Sequence, residues 1–228
     1  MITTEFRKAD HLIIHPLFRE LDAHEKYELS MNSKNVNLTK DQYLDYQYNS
    51  QNYLYFIISG KLRIKEIDPD GNQLVKDVLH EGDILGDLDE HSDTTYVEYA
   101  EAITSRVLLC RVPYATLKEL MKGNASFSLR VTNAFLHRYR KLETRYRSIA
   151  YLNCVKSRLV SFIKEWASRE GVRDGNQVTI KNYLTHQDIA SLICSTRVTV
   201  TNILNDLKSS GYISYSKSVI SIADIENF

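Results

Sequence analysis

Four side chains within one short stretch, Arg197, Val198, Thr201 and Asn202, have the chemistry needed to read base edges in DNA. An arginine can grip guanine O6 and N7 with two hydrogen bonds. A valine packs on the methyl group of thymine, and an asparagine pairs with adenine. Around them lie polar residues suited to phosphate oxygens: Thr185, Gln187, Thr196 and Thr199. The free amides of a helix N-terminus can hold phosphates in the same way. For these groups to act together, a helix must present them on one face, clear of its buried side.

The flanking sequence supplies that helix and a second one before it. Thr185 is a natural N-cap, and Asp188, three residues on, can reach back to complete a capping box. Ile189, Ala190, Leu192 and Ile193 form the apolar side of this first helix. Thr196 caps the second, whose buried stripe is Val200, Ile203, Leu204 and Leu207. Arg197, Val198, Thr201 and Asn202 then project from the opposite face, in the first two turns. A helix that enters the major groove by its N-terminal end presents such positions to the bases. A helical hairpin with polar residues facing water is the plainer alternative. Caps, stripe and base-reading face agree instead on a helix-turn-helix. Tyr212–Tyr215 and Val219–Ile222 alternate around Ser216-Lys217-Ser218, as a hairpin wing does, and Lys217 at its tip can meet a phosphate. Ahead of the motif, Asn153 is placed to cap a helix over 154–169 whose core face is Val155, Leu159, Phe162, Ile163 and Trp166. A loop over 171–176 and a small strand over 178–180 follow.

The segment Leu184–Ile222 resembles the winged helix-turn-helix of the cyclic-AMP receptor protein and fumarate–nitrate regulator (Crp/Fnr) family. Ser195-Thr-Arg-Val-Thr-Val-Thr201 looks especially like the recognition helix of that family's cyanobacterial nitrogen-regulator branch. Many members carry Arg-Glu-Thr-Val where this chain has Arg197-Val198-Thr199-Val200, and a second Arg where Asn202 stands. Losing the Glu removes an acceptor for cytosine N4, so a different half-site is expected. The resemblance implies an α+β chain with three parts. Residues 1–125 would form a cyclic-nucleotide-binding-type β-roll (a double-stranded β-helix). Residues 126–152 would form a long dimerisation helix, and 153–228 the winged helix-turn-helix.

The N-terminal half fits that scheme. Tyr53–Ile58 reads as a buried strand, Leu62–Ile67 as an alternating one, and Asp68-Pro69-Asp70-Gly71-Asn72 as a hairpin turn. Val75–Leu79, Tyr96–Ala102 and Val107–Val112 continue the series, as a barrel or double-sheet roll requires. Pro16–Leu21 resembles the family's short leading helix. Two family glycines are replaced by Asp41 and Asn49, residue types that tolerate a left-handed backbone. In nucleotide-binding members a Gly-Glu pair and a later Arg-Ser or Arg-Thr cradle the cyclic phosphate and ribose. Here Gly86-Asp87 matches the first loosely. Thr94 falls near the Arg position with Thr95 beside it, and no Arg or Lys lies in Gly86–Ile103. A phosphate without a counter-charge is costly to enclose, so cyclic AMP is not the expected effector. Arg140, Glu143 and Thr144 of the long helix complete the candidate effector pocket. No cofactor or metal is expected: His80 and His91 are not clustered with other ligands, and there is no four-cysteine set for an iron–sulfur cluster.

Ser126–Ala150 contains neither Pro nor Gly and reads as one long helix. Thr132, Phe135, Tyr139, Leu142, Tyr146 and Ile149 recur at spacings of three and four, a heptad stripe that predicts a homodimer. The chain of 228 residues is neutral overall, but up to Ala125 there are 21 acids against 14 Lys plus Arg, and afterwards 8 against 15. A basic C-terminal half suits a partner of double-stranded DNA. Cys110, Cys154 and Cys194 are widely spaced, as reduced thiols in a cytoplasmic protein are, and no signal peptide or membrane span is read. The reading is a homodimeric transcription regulator on a palindromic site that contacts RNA polymerase if it activates. Its effector is unidentified. Two alternatives stand beside it: a ligand-independent regulator whose roll is a scaffold, and a cupin-like small-molecule-binding or enzyme domain with a vestigial DNA-binding module.

Overall fold

The computed structural model describes residues 11–46, 53–86, 97–152 and 154–228. The chain divides into two compact units, one up to Tyr139 and one from Arg140. The long helix, expected as a segment of its own, contributes to both.

In the first unit a 3-10 turn, Pro16–Phe18, precedes helix α1 (Ala23–Asn32). Among the described residues eight strands follow: β1 (Lys34–Thr39), β2 (Tyr43–Leu44), β3 (Tyr53–Ser59), β4 (Leu62–Ile67), β5 (Gln73–Leu79), β6 (Ile84–Leu85), β7 (Val97–Ala102) and β8 (Arg106–Pro113). Helix α2 (Tyr114–Gly123) leads into the long α3 (Ala125–Tyr151). The strands form two antiparallel sheets, ordered β1-β8-β3-β6 and β2-β7-β4-β5.

The apolar run in β3 follows from burial on both faces. Tyr55 and Ile57 point between the sheets, where they meet Leu62 and Ile64 of β4, Ala100 and Ala102 of β7, and Leu109 of β8. Leu54, Phe56 and Ile58 point the other way, onto Phe18, Leu29, Leu117, Phe127 and Val131 of the helical layer. A strand covered on both sides loses the usual alternation of apolar and polar residues. Asn124 breaks α2 from α3 and caps the latter, its Oδ1 accepting the Phe127 N–H at 2.9 Å. Asp41 sits at φ 66°, as its replacement of a glycine requires. Asn49, Asp87, Thr94, Thr95 and Asn153 lie outside the described residues.

In the second unit α4 (Val155–Glu170) is followed by β9 (Val172–Asp174) and β10 (Gln177–Lys181). A loop was expected over 171–176. It is instead the first arm of a hairpin, turned at Gly175, whose φ is 59°. Short strands with exposed residues leave little periodic signal to read. Helices α5 (His186–Leu192) and α6 (Arg197–Ser209) and strands β11 (Ile213–Tyr215) and β12 (Val219–Ile222) complete the unit, in a sheet ordered β11-β12-β10-β9.

His15 is buried at 2% exposure, with its ring against Phe18 and Phe56 and its Nδ1 accepting the Leu17 N–H at 3.3 Å. Burial pushes its pKa down to about 4, against the opposing pull of the Gly82 and Asp83 backbone. The folded state therefore prefers neutral imidazole. Its contribution is complete above the unfolded pKa near 6.5 and is lost as pH falls toward 4. Urea titrations at pH 7.5 and pH 5 should show a loss of about 2 kcal/mol that His15→Phe abolishes. An unchanged loss in that variant would assign the acid sensitivity elsewhere.

Candidate nucleic-acid interface

The N-terminus of each helix of the motif is satisfied locally. The Asp188 N–H donates to Thr185 Oγ1 at 3.1 Å and the Thr185 N–H to Asp188 Oδ2 at 2.8 Å, which completes the capping box. The Thr199 N–H donates to Thr196 Oγ1 at 3.2 Å and so caps α6. Val200, Leu204 and Leu207 are buried, and Ile203 is half-buried. They pack in a unit whose core also holds Leu159, Ile163, Trp166, Ile180, Ile189 and Ile220.

This burial leaves the outer face of α6 free. Arg197, Val198 and Asn202 are exposed and Thr201 is half-buried; Val198 keeps 68% of its surface, a high value for an apolar residue. Thr185, Gln187, Thr196 and Lys217 are exposed and Thr199 is half-buried, its hydroxyl 2.9 Å from that of Thr196. The structure therefore gathers the expected base-reading and phosphate-binding residues on the caps, the first two turns of α6 and the β11–β12 turn. Arg197 and Lys217 supply positive charge there, while Asp188 is buried in its capping role.

Three residues of this surface were not singled out by spacing. His186 Nδ1 lies 2.8 Å from Thr201 Oγ1, and its ring meets Tyr215 edge-on at 5.7 Å. Burial first, then the charge of Arg197, pushes the His186 pKa below its ordinary value. The Tyr215 hydroxyl donates to Asn205 Oδ1 at 2.8 Å and ties the wing to α6. Arg158 of α4 donates to the carbonyls of Ile193, Leu152 and Cys194, at 3.0, 3.0 and 3.1 Å. These partners are distant in sequence, so no local pattern announces them.

The remaining expected residues are distributed as follows. Along α3, Phe135 packs partly on the core shared by the helices and β3, whereas Tyr139, Leu142 and Tyr146 are exposed. Thr132 is exposed and Ile149 half-buried. Leu129 and Leu136, absent from the expected stripe, are exposed as well. Gly86, at φ 114°, belongs to the first unit, and a Cβ there would come within 2.9 Å of the Leu54 side chain. Arg140, Glu143 and Thr144 belong to the second unit. Glu143 pairs with Arg147 at 2.6 Å, and Thr144 lines a small cleft with Arg158, Phe162 and Leu192.

The Crp-like helix-turn-helix domain model matches residues 157–228, and the cyclic nucleotide-binding domain model matches residues 35–124. The chain is 31% identical to the global nitrogen regulator of Nostoc sp. over 173 residues, which are 74% of this chain and 76% of that protein. The global nitrogen regulator of Synechocystis sp. is 30% identical over 173 residues, with shares of 74% and 75%. The chain belongs to the Crp/Fnr family of transcription regulators. A solved CooA mutant from Carboxydothermus hydrogenoformans has the same fold, with a TM-score of 0.72 at 18% identity over 91% of this chain and 89% of that one. As a Crp/Fnr-type regulator, the chain carries its DNA-binding domain at the C-terminal end. The family consists of transcription regulators, not enzymes, which leaves the cupin-like enzyme reading without support. No helix among the described residues is long and apolar enough to cross a membrane.

Cys194, in the turn between α5 and α6, has φ 51°. An L-residue in this left-handed region is disfavoured by roughly 1–2 kcal/mol. Glycine removes that cost but loses more entropy on folding. Cys194→Gly should therefore raise stability by roughly 0.5–1 kcal/mol in thermal or urea unfolding, with operator affinity unchanged. A destabilised variant would mean that the Cys194 side chain holds the turn.

Proposed function

We propose that the protein acts in the cytoplasm as a homodimer on a palindromic operator, with one α6 in each of two successive major grooves. The observation that carries this reading is the exposed, capped first turn of α6 with Arg197 and Val198 at its tip. Arg197 reads a guanine in each half-site and Val198 packs on a neighbouring thymine methyl, with Thr201 and Asn202 completing the reading face. Thr185, Gln187, Thr196, Thr199 and Lys217 hold the phosphates. Where the regulator activates, RNA polymerase is its further partner.

Dimerisation runs along α3. Leu129, Thr132, Leu136 and Tyr139 alternate at spacings of three and four, Tyr146 follows one heptad after Tyr139, and all five are exposed. Leu142 flanks this row, Ile149 continues on its side, and Phe135 faces the roll. A row of exposed apolar residues along one helix is costly to leave in water.

The roll responds to an effector other than cyclic AMP. Arg63 and Lys65 pair with Glu101, at 2.5 and 2.7 Å, and Lys76 with Glu66 and Glu98. These cations are already engaged by carboxylates, and Glu98 and Glu101 disfavour an anion nearby. Gly86, Asp87, Thr94 and Thr95 of the first unit remain the candidate contacts for whatever binds. A roll that serves only as a scaffold is the second reading, favoured by that same internal pairing.

Selection of binding sites from random duplex DNA tests the interface. Arg197→Ala should lose the guanine at its position and cost roughly 1–3 kcal/mol per half-site. Lys217→Ala should weaken all sequences alike and lower the salt slope by about one per half-site. An unaltered motif from Arg197→Ala would mean that α6 does not read DNA. For the dimer, Tyr139→Asp should sediment as a monomer and bind the operator about 100-fold more weakly. A persistent dimer would place the seam elsewhere.

A further inference from the structure

The hydroxyl of Thr201 is engaged on two sides. It donates to the Arg197 carbonyl at 2.8 Å, one turn back along α6. Its single proton is thereby used, so at 2.8 Å from His186 Nδ1 it acts as the acceptor of an Nδ1–H. His186 is itself held, with Tyr215 edge-on against its ring and the Tyr215 hydroxyl bonded to Asn205. Burial and the neighbouring Arg197 keep the imidazole neutral at pH 7, which suits the tautomer protonated on Nδ1. With its proton given to the Arg197 carbonyl and one lone pair taken by His186, Oγ1 has no donor left to offer a base and keeps a single lone pair, so the γ-methyl is the larger part of Thr201 left to meet a ligand on the exposed face.

We propose that Thr201 reads DNA through its γ-methyl rather than its hydroxyl, selecting a thymine by the C5-methyl group, and that His186 is the positioning residue that holds the hydroxyl back. The inference rests on α6 entering the major groove as proposed above. A free threonine hydroxyl can donate to one base and accept from another, so it discriminates poorly. A threonine whose hydroxyl is bound within the protein presents an apolar surface like that of Val198. The reading face then consists of one guanine-gripping arginine, two methyl-bearing positions and Asn202.

Site selection and binding measurements with the full-length protein test this. The wild type should prefer a thymine at one position of each half-site, and deoxyuridine there, which lacks only the methyl group, should weaken binding roughly fourfold. Thr201→Val keeps a methyl at that place and should retain both the preference and the penalty. Thr201→Ser loses the methyl and should lose both. His186→Ala frees the hydroxyl and should broaden the preference at this position alone. His186→Asn, whose side-chain nitrogen lies where Nδ1 does, should restore it. Thermal unfolding of each variant separates these outcomes from a loss of fold. The proposal is overturned if Thr201→Ser keeps the thymine preference, or if deoxyuridine binds as well as thymidine. If Arg197→Ala still abolishes its guanine in that case, only the role of Thr201 fails. If the wild type selects no motif at all, the major-groove reading fails with it.

Discussion

The reading surface depends on how one guanidinium deals with the ends of two helices. The last carbonyls of a helix have no partner within it, and buried without one they destabilise the fold. Arg158 reaches three carbonyls just beyond such ends from a single planar fork: those of Ile193 and Cys194 after α5, and that of Leu152 after α3. A lysine, with its compact ammonium, could not span the three. The turn between α5 and α6 also contains Cys194 in a left-handed conformation that its side chain disfavours. Neighbouring contacts, not residue preference, therefore hold this turn. What they fix is the direction in which α6 leaves it, and so which residues face outward.

The roll meets a related constraint by different means. Its first sheet is covered on both faces over its central strands, so β3 is apolar from Tyr53 to Ile58 and β8 buries Val107, Leu109, Cys110 and Val112. Its second sheet has one apolar face. On the other, Arg63 and Lys65 of β4 converge on Glu101 of β7, which is almost fully buried. Burial alone would raise the Glu101 carboxyl. Hydrogen bonds from the two cations outweigh it and hold the group below the usual carboxylate range. This network keeps a polar face folded, and it also leaves those cations committed.

What could be read from the chain follows the range of the interactions. Thr185, Asp188 and Thr196 act on amides three residues away, so both helices of the DNA-binding motif were legible with their caps. The turn at Asp68–Asn72 was legible for the same reason, since Asp68 accepts from Asp70 and Asn72. The β9–β10 hairpin was not, because its residues are largely exposed and carry no period. The apolar residues of α3 point two ways. Spacing alone put Phe135 in the expected seam and passed over Leu129 and Leu136, because the side that faces the roll depends on residues of other elements. His186 on Thr201 and Arg158 on Ile193 are pairs separated by fifteen and thirty-five residues, beyond any local pattern.

Charge adds a last constraint on recognition. Non-specific affinity for DNA grows with the number of phosphates neutralised and falls with salt. The excess of seven cations after Ala125 favours that attraction, and the excess of seven acids before it opposes it, so the chain as a whole is neutral. Because charge acts over only about 8 Å at physiological ionic strength, the basic end still feels the phosphates it touches. The acidic roll, for its part, gains nothing by approaching the duplex. Phosphate attraction carries no sequence information, so on the proposed reading discrimination comes from the few side chains at the tip of α6, and the geometry that fixes Arg197, Val198 and Thr201 bears more on it than the abundance of basic residues around them.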